Sequence, residues 1–207
     1  VASKNVGSNK AITDVSLTLT DGSGLAANYT IGTKTFNITQ QAISIDGSKV
    51  YDGNTTVAAA NISTFNGLAL TETLTISGSG TVTTPQVGTN KTVTLGTLAL
   101  ADGTNGGEAS NYSLASGTFD VTARPITLSG SRVYNGTTTV ANADLTTFTN
   151  IVSGEALALT GSGTVADKNV GTNKAVTLGT LALADNTASA SNYSLNSASL
   201  DVTQRPL

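Results

Sequence analysis

The chain has 207 residues, ten Lys and Arg against thirteen Asp and Glu, a formal charge of −3, and no Cys, His, Met or Trp. This excludes disulfides, thiol nucleophiles, iron–sulfur clusters, zinc fingers and imidazole metal sites, and the acidic balance lacks the basic footprint that neutralises phosphates, so no nucleic-acid partner is expected. Only 11% of residues are charged, against about 25% in an average soluble domain, and no apolar run nears the ~18 to 20 residues of a membrane span. No charged leader with an apolar stretch opens the chain, so any export signal is expected outside these residues. Val, Ile, Leu and Thr recur at every second position between Gly, Asn, Asp and Ser clusters. That period predicts short half-buried strands rather than disorder.

Self-similarity organises the chain from its first residues. Val6-Gly7-Ser8-Asn9-Lys10 returns as Val87-Gly88-Thr89-Asn90-Lys91 and Val170-Gly171-Thr172-Asn173-Lys174, with spacings of 81 and 83. Asn28-Tyr29 returns as Asn111-Tyr112 and Asn192-Tyr193, with the two spacings exchanged. The exchange places a two-residue insertion between Asp102 and Asn111, which predicts an exposed loop tip. A second block occurs twice, from Ala42 through Tyr51-Asp52-Gly53-Asn54-Thr55-Thr56-Val57 and from Pro125 through Tyr134-Asn135-Gly136-Thr137-Thr138-Thr139-Val140. We therefore divide the chain into the C-terminal half of a repeat (1–40), a full repeat (41–123) and a second full repeat (124–207). Arg205-Pro206-Leu207 echoes Arg124-Pro125-Ile126, as expected of a window onto a longer tandem array.

Asp120–Ile126 joins the two full repeats without a Gly/Ser linker, and Pro125 restrains it towards extended geometry. Within 124–207 the pattern predicts strands at 126–129, 138–141, 156–160, 164–166, 175–178, 181–183, 193–195 and 199–203. It predicts a helical turn at 142–148, capped by Asn142 or Asp144. The apolar parity changes across Gly179, from Val176 and Leu178 to Leu181 and Leu183, which calls for a bulge or a bend. The expected core is Ile126, Leu128, Val140, Leu157, Leu159, Val176, Leu178, Leu181, Leu183, Leu195, Leu200 and Val202. The fold class that follows is all-β: tandem antiparallel β-sandwich-like or β-grasp-like modules forming an elongated rod.

Asp52-Gly53 and Asn135-Gly136 are turn dipeptides, and the tyrosines before them, Tyr51 and Tyr134, are read as pinning that turn onto the core. Together with Tyr29, Tyr112 and Tyr193 they form the repeat motif, read as structural. No catalytic residue, cofactor or metal ligand is assigned, and no enzyme is expected. Asp46, Asp52, Glu72, Asp102, Glu108, Asp120, Asp144, Glu155 and Asp167 are scattered and mostly sit in turn contexts rather than as an acid/base pair. The loops at Asp21–Gly24 and Asp102–Glu108 match no calcium-loop pattern and read as hairpin tips. Lys10, Lys91 and Lys174 read as solvated strand starts, with an intramolecular amide to Asn as the alternative.

The motifs Tyr51-Asp52-Gly53-Asn54-Thr55-Thr56, Tyr134-Asn135-Gly136-Thr137-Thr138 and Ser162–Gly171, with the Asn-Tyr pairs, resemble the YDG-type repeats of large bacterial surface and secreted adhesins of the filamentous-haemagglutinin-like kind. The departure from Asp to Asn at position 135 argues against catalysis by that carboxylate. The resemblance implies a secreted or cell-surface protein whose repeats serve as spacers or adhesive modules. The function expected is a structural stalk segment packing against other repeats of the same chain. Two alternatives are a module binding host glycans or surfaces by avidity, and an extracellular filament subunit completed by strand exchange between chains through its open edges.

Overall fold

A computed structural model describes residues 1–13 and 16–207. The chain adopts the expected all-β class: strands joined by three-residue 3-10 turns, in two tandem repeat-like units. Its strands in order are β1 (Gly7–Ala11), β2 (Thr35–Ile38), β3 (Gln41–Val50), β4 (Thr56–Ala58), β5 (Ile62–Asn66), β6 (Leu74–Ser77), β7 (Ser79–Val82), β8 (Gly88–Thr94) and β9 (Ala99–Asp102). There follow β10 (Tyr112–Thr122), β11 (Arg124–Val133), β12 (Thr139–Ala141), β13 (Thr147–Thr149), β14 (Ala158–Thr160), β15 (Ser162–Val165), β16 (Gly171–Thr177), β17 (Ala182–Ala184) and β18 (Tyr193–Thr203). By compactness the chain divides into one unit of Val1–Gly47, Val57–Thr81 and Val93–Thr118, and another of Ser48–Thr56, Val82–Thr92 and Phe119–Leu207.

The last repeat shows the plan. A six-stranded sheet runs β12-β15-β16-β18-β11-β13, and β14 pairs with β17 in a separate ribbon. The preceding repeat gives β4-β7-β8-β10-β3-β5 with the ribbon β6-β9. Pairing within the last sheet is antiparallel, except that β11 and β18 run parallel, from Arg124 opposite Tyr193 to Val133 opposite Thr203. The first and last strands of the repeat therefore lie side by side at its centre. The residues between them supply the crossover that parallel pairing requires.

β18 is one strand where the sequence pattern predicts two. Tyr193 and Leu195 fall on one parity, and Ala198, Leu200 and Val202 on the other; the register shift opposite Ile126 and Thr127 leaves Asn196 as the extra residue that reconciles them. The parity change at Gly179 is met by a tight turn with Gly179 at φ +56°, a conformation that costs glycine nothing. There the chain leaves β16 for the ribbon strand β17. A different correction falls on residues 142–148. Only Asn142–Asp144 form a 3-10 turn, neither Asn142 nor Asp144 is its N-cap, and Thr147–Thr149 pair with β11 as a strand. Asp144 instead accepts the N–H of Ala141 at 3.0 Å.

Leu128, Val140, Val165, Val176, Leu181, Leu200 and Val202 pack as the buried core, with Leu159, Leu178 and Leu195 against it. Each such burial contributes roughly 1.5–3 kcal/mol. Leu145, which the pattern places in the helical turn, is a fully buried member of the same core.

The Val-Gly-x-Asn-Lys motif acquires a local reason. Asn9, Asn90 and Asn173 adopt φ of +52°, +53° and +50°, which asparagine tolerates better than other non-glycine residues. Their N–H groups donate to Asn37, Asp120 and Asp201 at 2.8, 2.8 and 2.6 Å. The lysine ammonium that follows each donates to the carbonyl oxygen five residues earlier, on Asn5, Gln86 or Asn169.

Candidate functional site

Each Tyr-(Asp/Asn)-Gly segment begins as a turn closed by its own side chain. Asp52 Oδ1 accepts the N–H of Asn54, and Asn135 Oδ1 that of Thr137, both at 3.1 Å. Asn can thus stand where Asp stood, because the turn uses only a side-chain oxygen. What Asn cannot do is pair with a cation, and the two copies differ accordingly. Lys49 Nζ lies 2.8 Å from Asp52 Oδ1 and donates to the carbonyls of Asn54 and Thr56. Burial pulls the Asp52 carboxyl pKa upward, and the Lys49 ammonium together with the hydrogen bonds from Asn54 more than offsets it, leaving it below the usual range. In the second copy Arg132 replaces Lys49, donates to the carbonyls of Thr137 and Thr139, and finds its carboxylate in Asp144 instead, at 3.4 Å.

Tyr51, 3% exposed, donates its phenol to Glu155 Oε1 at 2.6 Å. Tyr193 donates to Glu155 Oε2 at 2.6 Å and accepts the N–H of Val152 at 3.1 Å. The two rings meet edge to face, with centroids 5.5 Å apart. One carboxylate is thereby held by two phenols, each a charge-assisted hydrogen bond of the short kind. Burial first, and the Glu155 carboxylate second, push both phenol pKa values above the ordinary tyrosine value. Gly53 completes the fit: a Cβ there would stand 3.0 Å from Val152 Cγ1, so any larger residue would require Val152 to give way.

A second contact accompanies the first. Asn192 is buried, its Oδ1 accepts the N–H of Val87 at 3.0 Å, and its Nδ2 reaches Gln86 Oε1 at 3.4 Å. Arg124 donates to the Tyr51 carbonyl at 3.3 Å while gripping Asn150 through its backbone and side-chain oxygens at 2.6 and 2.7 Å.

The same constellation recurs one repeat earlier. Asn111 Oδ1 accepts the N–H of Val6 at 2.8 Å, and Asn111 Nδ2 donates to Asn5 Oδ1 at 3.1 Å. Tyr112 donates to Glu72 Oε2 at 2.6 Å and accepts the N–H of Ala69. The other oxygen of Glu72 is taken by the ammonium of Lys4 rather than by a second tyrosine. Lys4 first, then the Tyr112 phenol, hold the Glu72 carboxyl below its usual range; that same hydrogen bond raises the Lys4 pKa. Burial followed by the Glu72 bond raises that of Tyr112.

Of the motif residues taken from the sequence, Tyr51, Tyr112 and Tyr193 are therefore buried in these contacts. Asp52, Gly53, Asn135 and Gly136 form turns, Tyr134 is partly buried, and Tyr29 is exposed. Glu72 and Glu155 read from the sequence only as scattered carboxylates, because their partners lie up to 104 residues away. Their signal was positional: in a carboxylate-poor chain both occupy the same place in the repeat. Asp21, Asp102 and Asp185 resolve as backbone acceptors for Ala26, Ala109 and Ala190, at 2.6, 2.8 and 2.7 Å. Among the described residues no group of three or more acidic side chains is placed to hold a metal ion. Nor is any helix there long and apolar enough to cross a membrane.

The YDG domain matches residues 33–119 and again residues 120–200, in tandem. The chain belongs to the YDG domain family. It matches no curated protein and no solved structure. In these terms Tyr51 comes from the first YDG copy, and Glu155, Asn192 and Tyr193 come from the second. Tyr51, the YDG tyrosine of the first copy, thus acts as a clasp on a carboxylate of the second. β10 of the first copy ends at Thr122 and β11 of the second starts at Arg124, one residue later.

Proposed function

We propose that the chain is a stalk or spacer segment of a long bacterial surface or secreted adhesin of the filamentous-haemagglutinin-like kind, built from tandem rigid YDG modules. The observation that supports this is the clasp itself. Glu155 is held by a tyrosine from each of two consecutive repeats, and a carboxylate so fixed resists the hinge motion expected of domains joined by a flexible linker. Small-angle X-ray scattering with light scattering for mass tests it. The expected outcome is an elongated monomer whose maximum dimension grows by a constant step with each added repeat; a compact particle overturns the reading.

A second reading, an extracellular filament subunit completed by strand exchange, is favoured by one feature of residues 1–40. Leu17, Leu19, Leu25, Tyr29, Ile31 and Phe36 are all exposed, and a row of uncovered apolar side chains beside a two-stranded sheet invites a strand from another chain. Sedimentable polymer that disappears when residues 1–40 are removed would establish it over the monomeric stalk.

A further inference from the structure

The clasp has a host side and a guest side. The host side comprises the YDG tyrosine, the carboxamide before the Val-Gly motif, and the valine N–H: Tyr51, Gln86 and Val87. The guest side comprises a glutamate and an Asn-Tyr pair: Glu155, Asn192 and Tyr193. Every element of the host side is repeated 83 residues later as Tyr134, Asn169 and Val170. Around this second set the geometry is preformed. Tyr134 N–H donates to the carbonyl of Thr203 at 2.9 Å, as Tyr51 N–H does to Thr122, and Lys174 Nζ fixes the carbonyl of Asn169 at 2.8 Å.

The difference lies in what covers it. Val6 and Val87 are partly buried, whereas Val170 is 50% exposed. Gly53 backs onto Val152 and Glu155, while a Cβ at Gly136 would meet nothing within 4 Å. A groove of about 520 Å³ opens between Tyr134, Asn169, Val170, Gln204 and Arg205. Glycine at 136 keeps clear a space that nothing in its own repeat fills.

We propose that the surface around Tyr134, Asn169 and Val170 is a seat for a further YDG repeat joined in line after Leu207, which would present a glutamate to the Tyr134 phenol and an asparagine side chain to the Val170 N–H. The in-line source follows from the occupied seat, where Arg124, two residues past the end of β10, itself bonds the Tyr51 carbonyl. Arg205 holds the equivalent place, two residues past β18. The seat rests on the clasp geometry and deepens the stalk reading. Once a further repeat is appended, a chain that is elongated with Tyr134 still open would defeat the seat and leave the stalk standing, and a compact chain with Tyr134 covered would do the reverse.

Two measurements decide it. In the 207-residue chain, Tyr51→Phe lowers the unfolding midpoint by about 3–8 °C, the shift expected for losing a buried hydrogen bond to a carboxylate, while Tyr134→Phe leaves it within about 1 °C. Equal losses would mean that the tyrosine serves its own turn, and the proposal falls. The second measurement appends a copy of residues 127–207 after Leu207. Amide exchange at Val170 then slows at least about tenfold, and nitration of Tyr134 by tetranitromethane drops relative to the exposed Tyr29. Replacing the appended glutamate that corresponds to Glu155 with Ala restores nitration. Unchanged exchange at Val170 beside a folded appended repeat overturns the seat. So does concentration-dependent protection of Val170 in the unextended chain, which would make a second molecule the occupant.

Discussion

Residues 1–40 and the closing halves of the two full repeats carry the same motifs in the same order and bury them to different depths. Tyr29 is 66% exposed, while its counterparts Tyr112 and Tyr193 are 4% and 5% exposed; Phe36 is 55% exposed and Phe119 1%. The apolar pattern is shared, so the pattern alone does not make the core. What the full repeats add is their first half. β11 lies parallel to β18 along ten paired residues and brings Ile126 and Leu128 to the buried face. Among the described residues of 1–40 no such strand is found, and β1 and β2 pair only with each other.

The largest test of this contrast is a pair of truncations. Phe119→Ala should cost about 3–5 kcal/mol in denaturant unfolding, the transfer and cavity terms of a fully buried phenylalanine. Phe36→Ala should stay within about 0.5 kcal/mol, as at exposed positions generally. A substantial loss at Phe36 would break the comparison, since it would mean that Phe36 is covered in solution.

Next comes the asparagine of the Asn-Tyr pair. Asn192 is buried and feeds the Val87 N–H, and truncating it leaves that donor unpaired. Asn192→Ala should therefore destabilise by about 1–3 kcal/mol and speed amide exchange at Val87. Asn28→Ala, at the same motif position but exposed, should do neither. A smaller difference is expected between the YDG glycines. Gly53 and Gly136 both hold positive φ, at +78° and +82°, so alanine strains each by roughly 1–2 kcal/mol. Only at Gly53 does the added methyl also crowd Val152, so Gly53→Ala should be the more costly by roughly 1 kcal/mol. Equal costs would remove the close approach from the account of the motif.

The sequence carried the repeat, the class, most strands and most of the core, because these rest on local alternation and on self-similarity. It missed what depends on distant partners. The strands read separately at 193–195 and 199–203 are one, because whether the gap between them meant a break or a bulge hinged on β11, the strand they pair with. Thr147–Thr149 carries too short an apolar signal to betray a strand, and Leu145 was absorbed into a helical turn. The Tyr51 ring had an adequate local explanation in its turn. Nothing near it announced a carboxylate 104 residues on.

The finest contrast is between the two clasps and concerns pH. Glu72 binds the exposed ammonium of Lys4 and the phenol of Tyr112, while Glu155 binds two phenols. A carboxyl whose folded pKa is depressed contributes stability above its unfolded value, and that contribution is lost as pH falls through the folded one. With Glu72 lowered from 4.5, amide exchange at Val6, corrected for its intrinsic rate, should accelerate as pH drops below the ordinary glutamate range. Lys4→Gln should shrink that acid response, because Lys4 is the larger cause of the shift. On the alkaline side the sign reverses. Lys4, Tyr51, Tyr112 and Tyr193 all have raised values, so their contribution is complete below the unfolded pKa and declines as pH climbs through the folded one. The Glu155 clasp, with two phenols and no cation, should loosen above about pH 10, read as faster exchange at Val87. Lys4→Gln should leave that loosening unchanged, and an altered alkaline response at Val87 in this variant would show that the two clasps are not independent.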